Sequence, residues 1–252
     1  MKAMPNRDTL ANQVHEALRS AIILGELVPG SLYSVADLAE KMNVSRTPAR
    51  EALLKLADAG MVKFERNRGI RILETTIHDL EEIFSLRLLL EVPATYRATQ
   101  KARAAELRAL KKALEAFKVV ADADDRRGDH LRLDAQFHHI ILQASGNSRL
   151  ARFVDTLRDL QMVRGVSTSG KTRTLTDIYD DHERIYERVA AGDAPGAARL
   201  MRDHIALTGR LLLAQEAGDT AHPERFELPW LDIMGLFEPF SGDGELTRSS
   251  GS

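Results

Sequence analysis

Residues 43–56, NVSRTPAREALLKL, are the most informative segment of the sequence. Its second half has the apolar spacing of an amphipathic helix, whereas its first half places Arg46 and Arg50 in the first helical turns, beside Ser45 and Thr47. The N-terminus of a helix carries partial positive charge, so arginines there are unfavourable unless something anionic faces them. An anionic partner outside the chain would explain why the sequence tolerates this arrangement.

The flanking residues predict two further helices and a strand hairpin. Residues 9–27 and 34–44 have helical apolar spacing, and each segment runs into Gly, Pro or Asn residues that end helices. We expect the third helix to start at an N-cap Ser45 and to stop at Gly60, after which MVKFE and GIRIL alternate like strands around the turn RNRG. Three short helices followed by a hairpin are typical of a winged helix-turn-helix, whose second motif helix enters the major groove of DNA.

The candidate DNA-contacting side chains lie at the start of the third helix and in the hairpin turn, or wing. Arg46 and Arg50 are four residues apart, hence on one helix face, and arginine can bind guanine through two hydrogen bonds. The predicted DNA-binding residues are Ser45, Arg46, Thr47, Arg50, Arg66, Asn67, Arg68 and Gly69. The alternative is that Arg46 and Arg50 merely pair with nearby acids such as Glu51 on an exposed helix.

Composition and charge fit a soluble protein with a polyanion partner for one segment. The chain has 252 residues, of which 44% are hydrophobic and 29% charged, enough for one large or two smaller globular domains. Residues 1–73 carry 11 Lys and Arg against 8 Asp and Glu, whereas the remainder carries 24 against 29. There is no cysteine, which excludes disulfide and thiolate chemistry and suits the cytoplasm. We find no signal peptide or long apolar run, and expect no membrane association.

Residues 74–217 predict an all-helical second domain. Helical patterns with short connections and no strand pattern are typical of an antiparallel bundle. The patterns cover residues 77–100, 104–123, 129–145, 148–166, 177–191 and 194–217, with a kink or break allowed at Pro93 and a loop at 167–177. The predicted fold is therefore mostly α: a winged helix-turn-helix over 1–73, a bundle over 74–217, and a partly disordered tail over 218–252. The apolar stretch 226–237 in that tail could dock on the bundle or on a partner subunit.

Four residues of the second domain have the spacing of a metal site. Asp134 and His138 are four apart on one helix face, so a single ion can reach both. His182 and His204 are equidistant from the predicted turn at residues 192–193, so in an antiparallel hairpin they lie at one level. One carboxylate and three imidazoles can bind Zn²⁺, Ni²⁺ or Mn²⁺. The alternative is amphipathic helices with exposed or capped histidines. We assign a structural role to His15, His78, His130, His139 and His222.

The segments VSRTPAREALLKLADAGMVKFERNRGIRI and GELVPGSLYSVADLAEKMN resemble the DNA-binding domain of the GntR family of bacterial transcription regulators. The resemblance covers residues 9–73. It implies that Ser45, Arg46, Thr47, Arg50 and Gly69 touch operator DNA. Some members add a basic contact from the preceding helix, but Ala36 stands near that place here, so we expect no contact there.

Residues 78–217 resemble the all-helical effector domain, or FCD domain, of the FadR-type branch of that family. Metal-binding members show Asp, three residues, His, and two further histidines on the last two helices, a pattern that Asp134, His138, His182 and His204 match. In such domains the metal, here expected to be zinc, helps to hold a small carboxylic acid. Arg87 matches an arginine of the first effector helix that supports the acid; its alternative role is an ion pair with Glu91.

The two resemblances imply a transcription regulator, a repressor in our interpretation, that binds a palindromic operator as a homodimer and responds to a small organic acid. The alternatives are a helical metal-dependent hydrolase, a direct metal sensor and a purely structural metal. We expect no enzyme, because no general base stands beside the site. Asp180 and Asp181 precede His182, and Glu183 follows it, but on a helix all three are expected to point elsewhere.

Overall fold

The computed structural model describes residues 10–124, 129–163, 167–226 and 228, and it confirms the predicted mostly helical fold class. The helices are α1 (Leu10–Ile23), α2 (Val35–Lys41), α3 (Arg46–Asp58), α4 (Ile77–Lys101), α5 (Ala104–Asp122), α6 (Asp129–Ala144), α7 (Ser148–Val163), α8 (Leu175–Ala190) and α9 (Ala194–Ala217), with a 3₁₀ turn at Pro223–Arg225. The strands are β1 (Leu32–Tyr33), β2 (Val62–Glu65) and β3 (Gly69–Ile72).

Helices α1–α3 and the three strands form the winged-helix unit. The sheet has the order β1-β3-β2 and is antiparallel throughout, with Val62 opposite Ile72 and Leu32 opposite Arg71. Apolar side chains from all three helices and both hairpin strands fill one core, which includes Leu18, Leu38, Leu53, Leu56, Ile70 and Ile72. Our sequence analysis missed β1, because two residues are too few to display alternation.

The ends of three helices can be compared with the sequence-based expectation. Ser45 occupies the N-cap position of α3 with extended backbone, but its side chain makes no capping hydrogen bond. Helix α8 begins at Leu175, inside the expected loop, because Thr174 and Asp177 form a reciprocal capping box. The predicted end of α7 at residue 166 falls outside the described residues, since α7 is described to Val163.

Helices α4–α9 form the bundle. Helix α4 runs for 25 residues with Pro93 inside it, so the helix continues through the position where a kink or break was allowed; Pro93 itself is exposed. Helix α4 packs along α9, and α5 packs against α6 and α8. Phe84, Phe117, Phe137, Met201 and Leu212 lie in the shared core and are almost fully buried. No helix among the described residues is long and apolar enough to cross a membrane.

Helix α7 also touches the winged-helix unit. Val163 is buried in the core of that unit, and Leu160 packs against the same core.

Two apolar side chains of the predicted tail, Phe226 and Leu228, pack on the core of the bundle. Of the tail that we expected to be partly disordered, residues 218–226 and 228 are described, and the remainder, with most of the predicted docking stretch 226–237, lies outside the described residues.

Candidate metal centre and nucleic-acid interface

Three helices bring together Asp134, His138, His182 and His204, which we call the buried cluster. Each offers one ligand atom, and these atoms all lie within 4.8 Å of one another. Asp134 and His138 come from α6, and the antiparallel α8 and α9 place His182 and His204 side by side, with ring centroids 4.8 Å apart. The three imidazoles are buried, and Asp134 is half-buried.

His138 is oriented by a carboxylate outside the cluster. Its Nδ1 lies 2.5 Å from Oε2 of Glu91, which accepts the hydrogen bond, and Oε1 of Glu91 accepts from Nε of Arg87 at 2.7 Å. The second ring nitrogen, Nε2, is buried without a hydrogen-bond partner in the part of the chain that the structure describes. Because a carboxylate holds the proton at Nδ1, the lone pair of Nε2 faces the cluster, as metal-binding histidines require.

His204 is held in a similar way from the other side. Its Nδ1 lies 3.2 Å from Oδ2 of Asp181, and Nη2 of Arg173 donates to the same oxygen at 2.7 Å. The sequence-based expectation that Asp181 points away from the site is wrong. Helices α8 and α9 lie side by side, so the face of α8 next to His182 also meets α9 at His204.

Asp134 is held by an arginine of a third helix. Arg158 of α7 donates from Nη2 to Oδ2 of Asp134, while Oδ1 of the same carboxylate lies 3.2 Å from Nε2 of His182. Sequence reasoning missed Arg158, and it assigned Glu91 only to an ion pair with Arg87. Among the residues that orient the cluster, only the Arg87–Glu91 pair has a spacing that can be recognised in the sequence. The other pairs join helices that are far apart in sequence.

The surroundings set the protonation states of His138, Asp134 and the neighbouring Glu91. Burial, reinforced by Arg158, lowers the pKa of His138 to about 3, so its imidazole is neutral at neutral pH. Burial alone would raise the pKa of Glu91, but Arg87 and His138 outweigh it and hold that pKa well below its usual range. Burial is likewise outweighed at Asp134, where Arg158 keeps the pKa low. Neutral imidazoles and ionised carboxylates are the forms that bind metal ions.

A cavity adjoins the buried cluster. Arg87, Asp134, Gln161, Thr168, His204 and Thr208 are among its lining residues. Arg87 makes the ion pair that was its alternative assignment, and its Nη1 donates to Oε1 of Gln161 at 2.9 Å. It nevertheless lines the cavity, so both of its expected roles remain compatible with its position. His130, to which the sequence analysis gave a structural role, is buried and lines the same cavity.

The other four histidines stand apart from the cluster and near surface acids. Nδ1 of His139 lies 2.9 Å from Asp155, and the remaining three have a glutamate within one to three residues along the chain. Those pairs are His15 with Glu16, His78 with Glu81, and His222 with Glu224.

The predicted DNA-contacting residues of α3 lie on the surface. Ser45, Arg46, Thr47 and Arg50 are all exposed. Among the described residues neither arginine forms an ion pair, so the alternative pairing with Glu51 is not observed. The guanidinium of Arg50 lies 5.1 Å from the ring centroid of Phe64, which ties the helix to strand β2.

The wing presents Arg66, Asn67 and Arg68 to solvent. Arg68 pairs with Glu65 at 3.1 Å, and Asn67 adopts a positive φ of 59°, as the tight turn requires. Gly69 has a structural reason to be glycine: its φ is 121°, and a Cβ there would lie 2.1 Å from the carbonyl oxygen of Tyr33. A contact between Gly69 and DNA stays a prediction.

Comparison with known proteins gives a consistent result. The family described as bacterial regulatory proteins, gntR family, matches residues 10–72, and the FCD domain matches residues 82–207. The chain is 30% identical over 202 residues to the HTH-type transcriptional regulator LutR of Bacillus subtilis, covering 72% of this chain and 91% of LutR. It is 32% identical over 174 residues to the gluconate operon transcriptional repressor of Bacillus licheniformis, covering 68% of each.

The fold has solved counterparts. The structure of McbR/YncC from E. coli superposes with a TM-score of 0.72 at 22% identity, covering 83% of this chain and 99% of that one. A putative GntR regulator from Rhodococcus gives a TM-score of 0.66 at 24% identity, with coverages of 82% of this chain and 97% of that one.

The families and relatives are transcriptional regulators and not enzymes, so the metallohydrolase alternative is wrong. The chain belongs to the GntR family of bacterial regulatory proteins, as a transcriptional regulator with an FCD domain behind its DNA-binding domain.

Proposed function

We propose that this regulator represses transcription as a homodimer on a palindromic operator. Its affinity for DNA is controlled by a small carboxylic acid that binds at a divalent metal ion in the bundle. Residues 1–73 bind DNA, and residues 74–217 bind metal, effector and the second subunit. The observation that carries the proposal is the buried cluster, whose ligand atoms lie within 4.8 Å of one another in the region that matches the FCD domain.

The donor set supports a divalent metal. Three imidazoles and one ionised carboxylate suit Zn²⁺ first, and Ni²⁺ or Mn²⁺ as well. Nε2 of His138 is buried and has no hydrogen-bond partner among the described residues, while Glu91 orients the ring through Nδ1. Metal-binding histidines are typically oriented in this way by a second carboxylate. A bound ion would supply a positive centre to which a carboxylate can bind.

The adjoining cavity favours an organic effector over a direct metal sensor or a structural metal. Arg87, Thr168 and Thr208 line it beside His204, so a ligand could bind the ion at one end and meet a guanidinium and hydroxyls at the other. A site that served the metal alone would need no such polar cavity.

The exposed arginines support the DNA-binding half. Arg46 and Arg50 have no acidic partner among the described residues, and they stand at a helix N-terminus that itself favours phosphate. In a winged helix-turn-helix these positions face base edges, where arginine recognises guanine. Ser45 has its hydroxyl available as well, since it makes no capping bond.

The names of relatives support repression, and symmetry supports the dimer. Two similar proteins are described as gluconate operon transcriptional repressors, and one from Escherichia coli as the transcriptional repressor RspR. A two-fold dimer presents two recognition helices to two half-sites, which makes the operator a palindrome.

Native mass spectrometry of the purified full-length protein tests the proposal. We expect the wild type to carry one divalent ion per chain and to release a small carboxylic acid on denaturation, while His182→Ala carries neither. Selection of operator sequences from randomised duplexes by the same preparations should yield a palindrome with both proteins. Wild-type protein that binds no divalent metal after incubation with Zn²⁺ would overturn the effector half, and failure to select any duplex would overturn the DNA half.

A further inference from the structure

Helix α7 contacts the buried cluster and the winged-helix unit through consecutive residues. Arg158 donates to Oδ2 of Asp134 in the cluster. The next residue, Asp159, accepts two hydrogen bonds from Arg19 of α1, one of them from Nε to Oδ2 at 2.5 Å. This pair joins residues 140 positions apart, and the side chain of Asp159 is only 13% exposed. A two-point arginine–carboxylate pair with so little exposure fixes the position of both groups.

The residues that follow on α7 also contact the surroundings of the buried cluster on one helix face and the winged-helix unit on the other. Gln161 accepts from Nη1 of Arg87 at 2.9 Å, beside the cluster. On the other face, Val163 is buried in the core of the winged-helix unit and Leu160 packs against that core. The carbonyl oxygen of Leu160 also accepts at 3.0 Å from the hydroxyl of Thr75, which lies between β3 and α4. Residues three or four apart share a helix face, so 158 and 161 form one face and 159, 160 and 163 form the other.

We propose that α7 is the element that transmits occupancy of the buried cluster to the DNA-binding unit, through the adjacent pairs Arg158–Asp134 and Asp159–Arg19. This inference rests on the proposed function, because it supplies the route by which metal and effector reach the DNA-contacting helix. The route continues from Arg19 through α1, which packs directly against α3.

The proposed transmission arises because a bound metal ion and Arg158 compete for the carboxylate of Asp134. A divalent ion in the cluster binds Asp134 and weakens its attraction for Arg158. Arg158 depends heavily on that carboxylate, because its Nε and Nη1 are buried without hydrogen-bond partners among the described residues. A buried cation cannot lose its counter-charge without moving toward another. Arg158 and Asp159 share one rigid helix, so a displacement of the first moves the second and, with it, Arg19.

Hydrogen–deuterium exchange of the full-length protein, with Zn²⁺ as the only added ligand, tests the route. In the wild type we expect Zn²⁺ to change exchange both in α6 and in α1. In Asp159→Asn the change in α6 stays and the change in α1 is lost. Zn²⁺ affinity of that variant should stay within about twofold of the wild type, since the Asp159 pair does not include a ligand.

Asp155→Asn is the matched control. Asp155 lies one turn earlier on α7 and pairs directly with His139. It attracts Arg19 only through space, without a hydrogen bond, so its loss should weaken the α1 response far less than Asp159→Asn does. The exchanged pair Arg19→Asp with Asp159→Arg provides a second test that is independent of the stability of the single variant, and it should restore the α1 response.

The outcomes separate the two proposals. An α1 response that persists in Asp159→Asn, or that the exchanged pair fails to restore, overturns the route through α7 and leaves the metal site intact. Absence of any Zn²⁺ effect on α6 in the wild type overturns the metal site itself, and the route falls with it.

Discussion

The arginines at the start of α3 and the arginines around the buried cluster are in opposite situations. Arg46 and Arg50 are exposed and have no ion pair among the described residues, whereas Arg87 and Arg158 are buried and each holds a carboxylate. Water stabilises the exposed cations, so they cost the fold little and stay available to a polyanion. The buried cations can exist only with their partners, so their positions are fixed and they fix the ligands in turn. Substitutions in the first group should therefore alter DNA binding alone, and substitutions in the second group should alter stability and metal binding together.

The largest effect is expected for Glu91→Gln. The substitution keeps the shape but removes the charge that holds Arg87 and His138, so it leaves a buried cation unpaired. We expect the free energy of unfolding to fall by about 3–5 kcal/mol in urea denaturation. Glu82→Gln is the control, because Glu82 lies on the same helix, is exposed and, within the described part of the chain, pairs only with the surface residue His78. Equal losses in the two variants would show that the buried pair contributes nothing special.

The next effect is expected for His182→Ala, which removes a ligand of the buried cluster. Zn²⁺ affinity, measured by competition with a chelator, should fall by at least about 100-fold, because loss of an outer partner alone costs about 10–100-fold. His139→Ala serves as the control, since His139 adjoins His138 in sequence but pairs with Asp155 at the surface. If both variants bind Zn²⁺ like the wild type, the buried cluster is not the metal site.

A smaller effect is expected for Arg46→Ala. Loss of a guanidinium that reads a base should cost about 1–3 kcal/mol of operator binding and relax the preference at one base pair. The thermal unfolding midpoint should not change, because the side chain is exposed and has no ion pair with any described residue. Arg108→Ala removes an exposed arginine of α5 and should leave gel-shift affinity unchanged. Unchanged affinity in Arg46→Ala itself would remove this residue from the DNA interface.

The smallest effect is expected in the wing. Arg66→Ala should weaken binding to all duplexes alike and reduce the salt dependence of log K by about one, as loss of one phosphate contact does. Arg68→Ala should do less, because Arg68 already pairs with Glu65. Affinities measured across a salt series would show the difference, and a change in base preference for Arg66→Ala would contradict a phosphate-only role.

The sequence predicted the parts of the molecule that follow from local periodicity and symmetry. The helix spacing around Arg46 and Arg50, and the strand alternation at 62–72, led to the winged-helix fold. The equal distances of His182 and His204 from the turn at 192–193 predicted two histidines at one level, which is where the structure has them.

The rest depends on packing between distant helices. Arg158 has no periodic relation to Asp134, since α6 and α7 are separate helices, and the direction of Asp181 depends on where α9 lies. The two residues of β1 show no pattern of their own and pair only because β3 passes alongside. The contacts that join α7 to both halves of the molecule likewise appear only in three dimensions.

Effector control of DNA binding is tested by measuring operator affinity during titration with the organic acid that co-purifies with the Zn²⁺-loaded protein. We expect the acid to lower the affinity of the wild type by tenfold or more, on the order of 1.4 kcal/mol, and His182→Ala to bind the operator without responding to the acid. An equal response in both proteins, or none in the wild type, would rule out effector control through the buried cluster.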